Sequence, residues 1–139
     1  MKKIILVESQ PEQIGIYRRI FQNTDFDVEL AGSVQEMHEE LRDIRIGDSQ
    51  KPDLVILDFM LADGHGVEIL RAMKKNFLTR DIPVFAVTNY QNQDFEKEIE
   101  RLGIMPEKYL IKTNHTPNEL VDMVSGYLVQ KEKPRVNLS

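Results

Sequence analysis

Four side chains with chemistry to offer stand directly after apolar runs. Glu8 follows Ile4-Ile5-Leu6-Val7, Asp58 follows Leu54-Val55-Ile56-Leu57, Thr88 follows Val84-Phe85-Ala86-Val87, and Lys112 follows Tyr109-Leu110-Ile111. Gathered in one place, these residue types suit transfer of a phosphoryl group to a carboxylate. An ionised carboxylate attacks phosphorus and forms an acyl phosphate. The transition state spreads charge over three equatorial oxygens, which a divalent cation and a fixed lysine neutralise. Asp58 is the candidate nucleophile. Glu8 can share with it a hard cation such as Mg²⁺, which takes oxygen ligands and keeps several waters. Lys112 supplies a fixed positive charge, and Thr88 a hydroxyl able to donate to a phosphoryl oxygen.

These residues span most of the chain, so they act together only if the fold brings the ends of the apolar runs to one rim. The three longer runs are continuous, as in strands covered on both faces. Phe26-Asp27-Val28-Glu29-Leu30 alternates instead, which predicts a half-exposed edge strand, and Tyr109-Leu110-Ile111 is a short fifth strand. Amphipathic helices fall between them. Pro11 suits a first helical position, with Ile14, Tyr17 and Phe21 on one face. Ser33 and Glu36 form a capping box ahead of Val34, Met37, Leu41 and Ile44. Val67, Leu70 and Met73 mark a third helix, and Phe95, Ile99 and Leu102 a fourth. Thr116-Pro117-Asn118-Glu119 caps a last helix that buries Leu120, Val124 and Leu128. Strict βα alternation predicts an α/β three-layer sandwich with a parallel five-stranded sheet. Three interior and two edge strands fit the flavodoxin-like (βα)5 order 2-1-3-4-5, in which ligands bind beyond the carboxyl ends of the strands.

The 139 residues suffice for one domain with a real core. Residues 1–129 are expected to form it, and residues 130–139, which include Lys131-Glu132-Lys133-Pro134-Arg135, a charged C-terminal tail. With 18 Lys plus Arg against 23 Asp plus Glu, the net charge of −5 repels phosphate backbones, so nucleic-acid binding is not expected. The absence of Cys excludes disulfides, thiol chemistry and Cys-based zinc sites, and it fits a reducing cytoplasm. The apolar run after Met1-Lys2-Lys3 is too short for a signal peptide or a spanning helix, so no membrane insertion is expected.

The chain resembles the receiver domain of two-component response regulators over roughly residues 2–128. The resemblance rests on Leu6-Val7-Glu8, on Pro52-Asp53 through Asp58-Phe59-Met60-Leu61, on Gly66-Val67-Glu68-Ile69-Leu70, on Ile82-Pro83-Val84 through Thr88, and on Tyr109-Leu110-Ile111-Lys112. It implies that Asp58 is the phospho-acceptor, Thr88 the switch hydroxyl, Lys112 the phosphate-binding lysine and Tyr109 the switch aromatic. The metal ligands for Mg²⁺ would be Glu8, Asp58 and the carbonyl of Met60. It also implies a sensor histidine kinase or phosphotransfer protein as donor, a downstream protein as target, and signalling in the cytoplasm without enzymatic turnover. Only ten residues follow Val129. A single-domain regulator with protein–protein output is therefore the expectation.

The departures from the family pattern are specific. Ser9 stands where a second acid usually ligates the metal. Ala62 and Thr113 replace prolines, and His65 replaces an acid near the third helix. A weakened metal site is expected, although the Ser9 hydroxyl can still hold a metal-bound water.

Plainer readings stand beside these. Asp58 could be a turn or cap, Thr88 a loop hydroxyl, Tyr109 edge packing and Lys112 a structural partner of Asp58. A pseudo-receiver, acting as a phosphorylation-independent docking module, would carry the same residues. His65 is better suited to capping a helix than to binding metal, and His38 and His115 read as surface residues. Tyr90, Phe95, Tyr109 and Tyr127 could form an aromatic partner surface, with core packing the better fate for Phe95. Other chemistries of this topology fit less well. Glu8-Ser9-Gln10-Pro11-Glu12 is a poor flavin phosphate loop, Met60 stands where a dehalogenase-type phosphatase carries a second Asp, and no P-loop is present.

Overall fold

The computed structural model describes residues 1–89 and 93–132. The elements run β1 (Lys3–Val7), α1 (Pro11–Phe21), β2 (Asp27–Ala31), α2 (Val34–Ile46), β3 (Leu54–Asp58), β4 (Met60–Leu61), β5 (Gly64–His65), α3 (Gly66–Lys75), β6 (Val84–Thr88), α4 (Gln93–Leu102), β7 (Lys108–Ile111) and α5 (Pro117–Glu132). A single 3₁₀ turn, Lys112–Asn114, joins β7 to α5. The five long strands pair in parallel in the order β2-β1-β3-β6-β7. This is the expected 2-1-3-4-5 order. The strand numbers differ because a short antiparallel hairpin, β4–β5, intervenes between β3 and α3.

Helices cover both sheet faces, giving two apolar clusters. One joins Ile5, Val7, Val55, Leu57 and Ala86 to α2 and α3; the other joins Ile4, Leu6, Leu54, Ile56, Phe85 and Val87 to α1 and α5. Alternate residues of each strand therefore serve opposite layers. This explains why β1, β3 and β6 are buried throughout while β2, on the edge, is mostly exposed. Each fully buried Ile or Leu stabilises by about 1.5–3 kcal/mol, so the central strands are rigid supports for whatever follows them.

Local signals set the helix ends. The Ser33 hydroxyl accepts the Glu36 N–H at 3.0 Å, while the Glu36 carboxylate reaches back to the Gly32 N–H, one residue before the usual capping-box position. Gly47, at φ 84°, ends α2 in a left-handed turn in which Asp48 N–H bonds to Asp43 O. Thr116 Oγ1 accepts the Glu119 N–H at the start of α5. That helix continues through Gln130, Lys131 and Glu132, which were assigned to the tail; residues 133–139 lie outside the described residues. The sequence offered no hint of a buried cation at the other end of the sheet. Lys3 is 3% exposed, donates to Gln50 O at 2.7 Å, and lies 3.3 and 3.6 Å from Glu29 and Glu40. It ties β1 to β2 and α2.

Gly66 opens α3 against the end of β3. A Cβ placed there would lie 2.5 Å from Asp58 O and 3.0 Å from Phe59 Cα, and the Gly66 N–H donates to Phe59 O at 2.9 Å. Gly66→Ala is expected to destabilise the fold by about 1–3 kcal/mol through overpacking against backbone. Urea unfolding of the two proteins measures this, with the slope unchanged.

Candidate functional site

Strand register builds the rim. Val7 lies beside Leu57, Asp58 beside Val87 and Thr88 beside Ile111, so Glu8, Asp58, Thr88 and Lys112 all emerge at the carboxyl end of the sheet. The ladder extends slightly past the strands: Glu8 N–H donates to Ala31 O and Phe59 N–H to Val87 O. The side chains therefore project from fixed backbone and not from free loops.

Three of them meet. The Lys112 Nζ donates to Asp58 Oδ2 at 2.8 Å and to Glu8 Oε1 at 3.0 Å. Asp58 and Glu8 are only 4% and 1% exposed, and the Lys112 side chain 16%. The remaining carboxylate oxygens are held by main chain. Asp58 Oδ1 accepts Met60 N–H at 2.8 Å, and Glu8 Oε2 accepts Ser9 N–H at 3.0 Å. Burial raises the Glu8 pKa first and the nearby Asp58 charge adds to it, with Lys112 opposing. For Lys112, burial is the largest influence and works against the charge. The hydrogen bond and charge of Asp58, joined by Glu8, outweigh it and raise the ammonium pKa above the usual lysine value.

Thr88 is fully buried, and its Oγ1 has no hydrogen-bond partner among the described residues. An unsatisfied buried hydroxyl costs about 1–3 kcal/mol. Tyr109 is partly buried, its ring 5.7 Å from that of Phe59, the residue after Asp58. The Ser9 Oγ does not point to open space: it accepts the Ala62 N–H at 3.2 Å. A cleft of about 310 Å³ opens beside Lys112, lined also by Gln13, Tyr17, Asn89 and Leu120.

Two facing carboxylates and adjacent main chain form a hard-oxygen donor set of the kind Mg²⁺ accepts, since that ion takes one or two carboxylates and retains water. No group of three or more His, Cys, Asp or Glu able to hold a metal occurs among the described residues, so any cation here relies on this sparse set.

Other sequence-stated candidates fall elsewhere. His65 occupies the cap position of α3 but makes no side-chain cap; its ring packs against Phe95 at 5.3 Å. His38 is exposed, and His115 is partly buried, 3.9 Å from Glu119. Among the described residues the aromatic side chains do not form one continuous outer surface. Phe95 and Tyr109 pack on Phe59, Tyr127 packs on Phe85, and Tyr90 lies outside the described residues. The reason is that all three rings find apolar partners along the sheet. Sequence reading missed Asp63, whose carboxylate accepts the N–H groups of Val34 at 2.8 Å and Gln35 at 3.1 Å, lowering its pKa. No local signal marks it, because the helix it caps begins 29 residues earlier.

The sequence matches the model of the response regulator receiver domain over residues 4–125. The phosphate regulon transcriptional regulatory protein PhoB of Pseudomonas aeruginosa is 28% identical over 127 residues, 91% of this chain and 52% of PhoB. The chain thus spans about half the length of that relative. The polar-differentiation response regulator DivK of Brucella anthropi is 23% identical over 91% of this chain and 96% of its own. The Mn²⁺-bound form of response regulator Rcp1 superposes with a TM-score of 0.76 at 22% identity, covering 100% of both chains. Across the described residues no helix is long and apolar enough to cross a membrane.

The charge arrangement has a pH signature. A lysine whose folded pKa is raised contributes stability that is complete below its unfolded value, about 10.4, and is lost as pH rises through the folded pKa. Lys112→Met leaves two buried carboxylates unpaired and is expected to cost on the order of 3 kcal/mol at neutral pH. The deficit should shrink as pH falls through the Glu8 pKa, which lies above the ordinary carboxylate range, because a protonated Glu8 no longer needs the ammonium. Thermal unfolding of both proteins across pH measures this.

Proposed function

Since the chain belongs to the response regulator receiver family of two-component signalling, we propose that it accepts a phosphoryl group on Asp58 and signals through protein–protein contacts. The donor would be a sensor histidine kinase or a phosphotransfer protein. A carboxylate oxygen of Asp58 forms the new bond to phosphorus as the bond from phosphorus to the donor nitrogen breaks, and the donor imidazole keeps that electron pair. Lys112 releases part of its hold on Asp58 and pairs with the incoming oxygens. Mg²⁺, when held by Glu8, Asp58 and the Met60 carbonyl, would neutralise charge on the phosphoryl group.

The observation that carries this reading is the Thr88 hydroxyl, buried and unpartnered at the rim that holds Asp58. A phosphoryl oxygen on Asp58 would satisfy it, which gives the orphan a reason to persist. Its movement would change the burial of Tyr109 and bias a two-state surface. Signalling and not substrate turnover is the role, and the cytoplasm the setting; the receiver unit would run through the end of α5 at Glu132.

Two observations favour a second reading. Lys112 already pairs with Asp58 and Glu8 without any phosphate, and Ser9 supplies no carboxylate to a cation. A docking module that never carries phosphate fits those two facts. Losing one carboxylate about 4 Å from a divalent ion removes about 2 kcal/mol per unit charge at an effective dielectric of about 40, so the metal site would be weakened in either case.

Incubation with Mg²⁺ and acetyl phosphate separates the readings. A base-labile phosphoryl adduct is expected on Asp58, absent in Asp58→Asn, with slow formation relieved at high Mg²⁺. Intact mass measurement at saturating donor with no adduct would overturn the phospho-acceptor reading in favour of the docking module. In Thr88→Ala the adduct should still form, while the amide signals of Tyr109 no longer shift on phosphorylation.

A further inference from the structure

The hairpin β4–β5 follows Asp58 directly and is held from three sides. Inside, Met60 N–H binds Asp58 Oδ1 at 2.8 Å. On the α1 side, Ala62 N–H binds Ser9 Oγ at 3.2 Å, across 53 residues of sequence. On the α2 side, Asp63 binds Val34 and Gln35 N–H. Two departures from the family pattern thus meet in one hydrogen bond. A proline at 62 has no N–H to give, and the carboxylate usual at 9 would be engaged by a cation. Serine and alanine at these positions complement each other.

We propose that Ser9 and Ala62 form a clasp, with Ser9 a positioning residue that holds the β4–β5 hairpin and through it the main chain of Met60 beside Asp58. The position that ligates metal elsewhere in the family has become a tether for the acceptor loop. Asp63 anchors the opposite side, so the loop is fixed between α1 and α2. Loss of the tether frees the segment that sets both the Asp58 rotamer, through Met60 N–H, and the Met60 carbonyl. This rests on the phospho-acceptor reading only for its functional consequence; the clasp itself does not.

Amide hydrogen exchange by NMR on the full chain tests it. Ser9→Ala should speed exchange of the Ala62 amide roughly fivefold, as expected for loss of one ordinary hydrogen bond. Ser9→Thr, which keeps the hydroxyl, should restore it. Unchanged exchange in Ser9→Ala, or equal acceleration in both variants, overturns the clasp. The functional consequence is read by Mg²⁺ titration of the Glu8 and Asp58 amide signals. Ser9→Ala, Ala62→Pro and the double variant should shift half-saturation by the same factor, because each removes the same bond. Shifts that multiply in the double variant overturn the coupling and identify Ser9 as acting on a metal-bound water instead. A wild-type protein that shows no Mg²⁺ response counts against the metal part of the proposed function, and the Ala62 exchange then decides the clasp by itself.

Discussion

One ammonium group between two buried carboxylates organises the carboxyl end of the sheet. Lys112 comes from the end of β7, Asp58 from β3 and Glu8 from β1, and the three meet within hydrogen-bond distance. Two negative charges and one positive leave the cluster with excess negative charge. Main-chain donors from Ser9 and Met60 reduce that cost without cancelling it. A buried group of this composition is electrostatically incomplete, and it is suited to gaining a cation or to losing the lysine to a more demanding anion. The sheet must be stiff for this to hold. Were the strand ends mobile, water would enter and the pairing would fall toward the weak strength of a surface ion pair.

The stiffness has identifiable sources. The apolar residues of β1, β3 and β6 are divided between two helical layers, so neither face can relax independently. At the far end of the sheet, Lys3 pairs with Glu29 and Glu40 and ties the edge strand and α2 to β1. At the near end, Gly66 allows α3 to start in contact with the Asp58 carbonyl, which seats the hairpin between β3 and α3. Asp58 is thus held by its strand behind and by a short braced loop in front. Tyr109, Phe59 and Phe95 form an aromatic contact chain from β7 to α4 through the residue next to Asp58.

Much of this was legible from residue order. Continuous apolar runs identified the interior strands, alternation identified β2, and the caps at Ser33 and Thr116 appear where their sequence signals stand. Glu8, Asp58 and Lys112 were readable as neighbours because each directly follows an apolar run, and parallel strands deliver their ends to one rim. The β4–β5 hairpin was not legible, since its strands are two residues each and carry no periodicity. Nor was the cap that Asp63 provides to α2, or the burial of Lys3, because both depend on partners tens of residues away.

Sequence alone determined the layers, the strand order and the chemical types available at the rim, because these follow from hydrophobic period and chain direction, which are local. Tertiary structure decided which donor satisfies which acceptor. Ser9 faces Ala62, Thr88 is left without a partner, and the aromatic side chains turn inward to Phe59 and Phe85. Those outcomes depend on distances of a few tenths of an ångström between segments that meet only on folding, and no pattern along the chain encodes them.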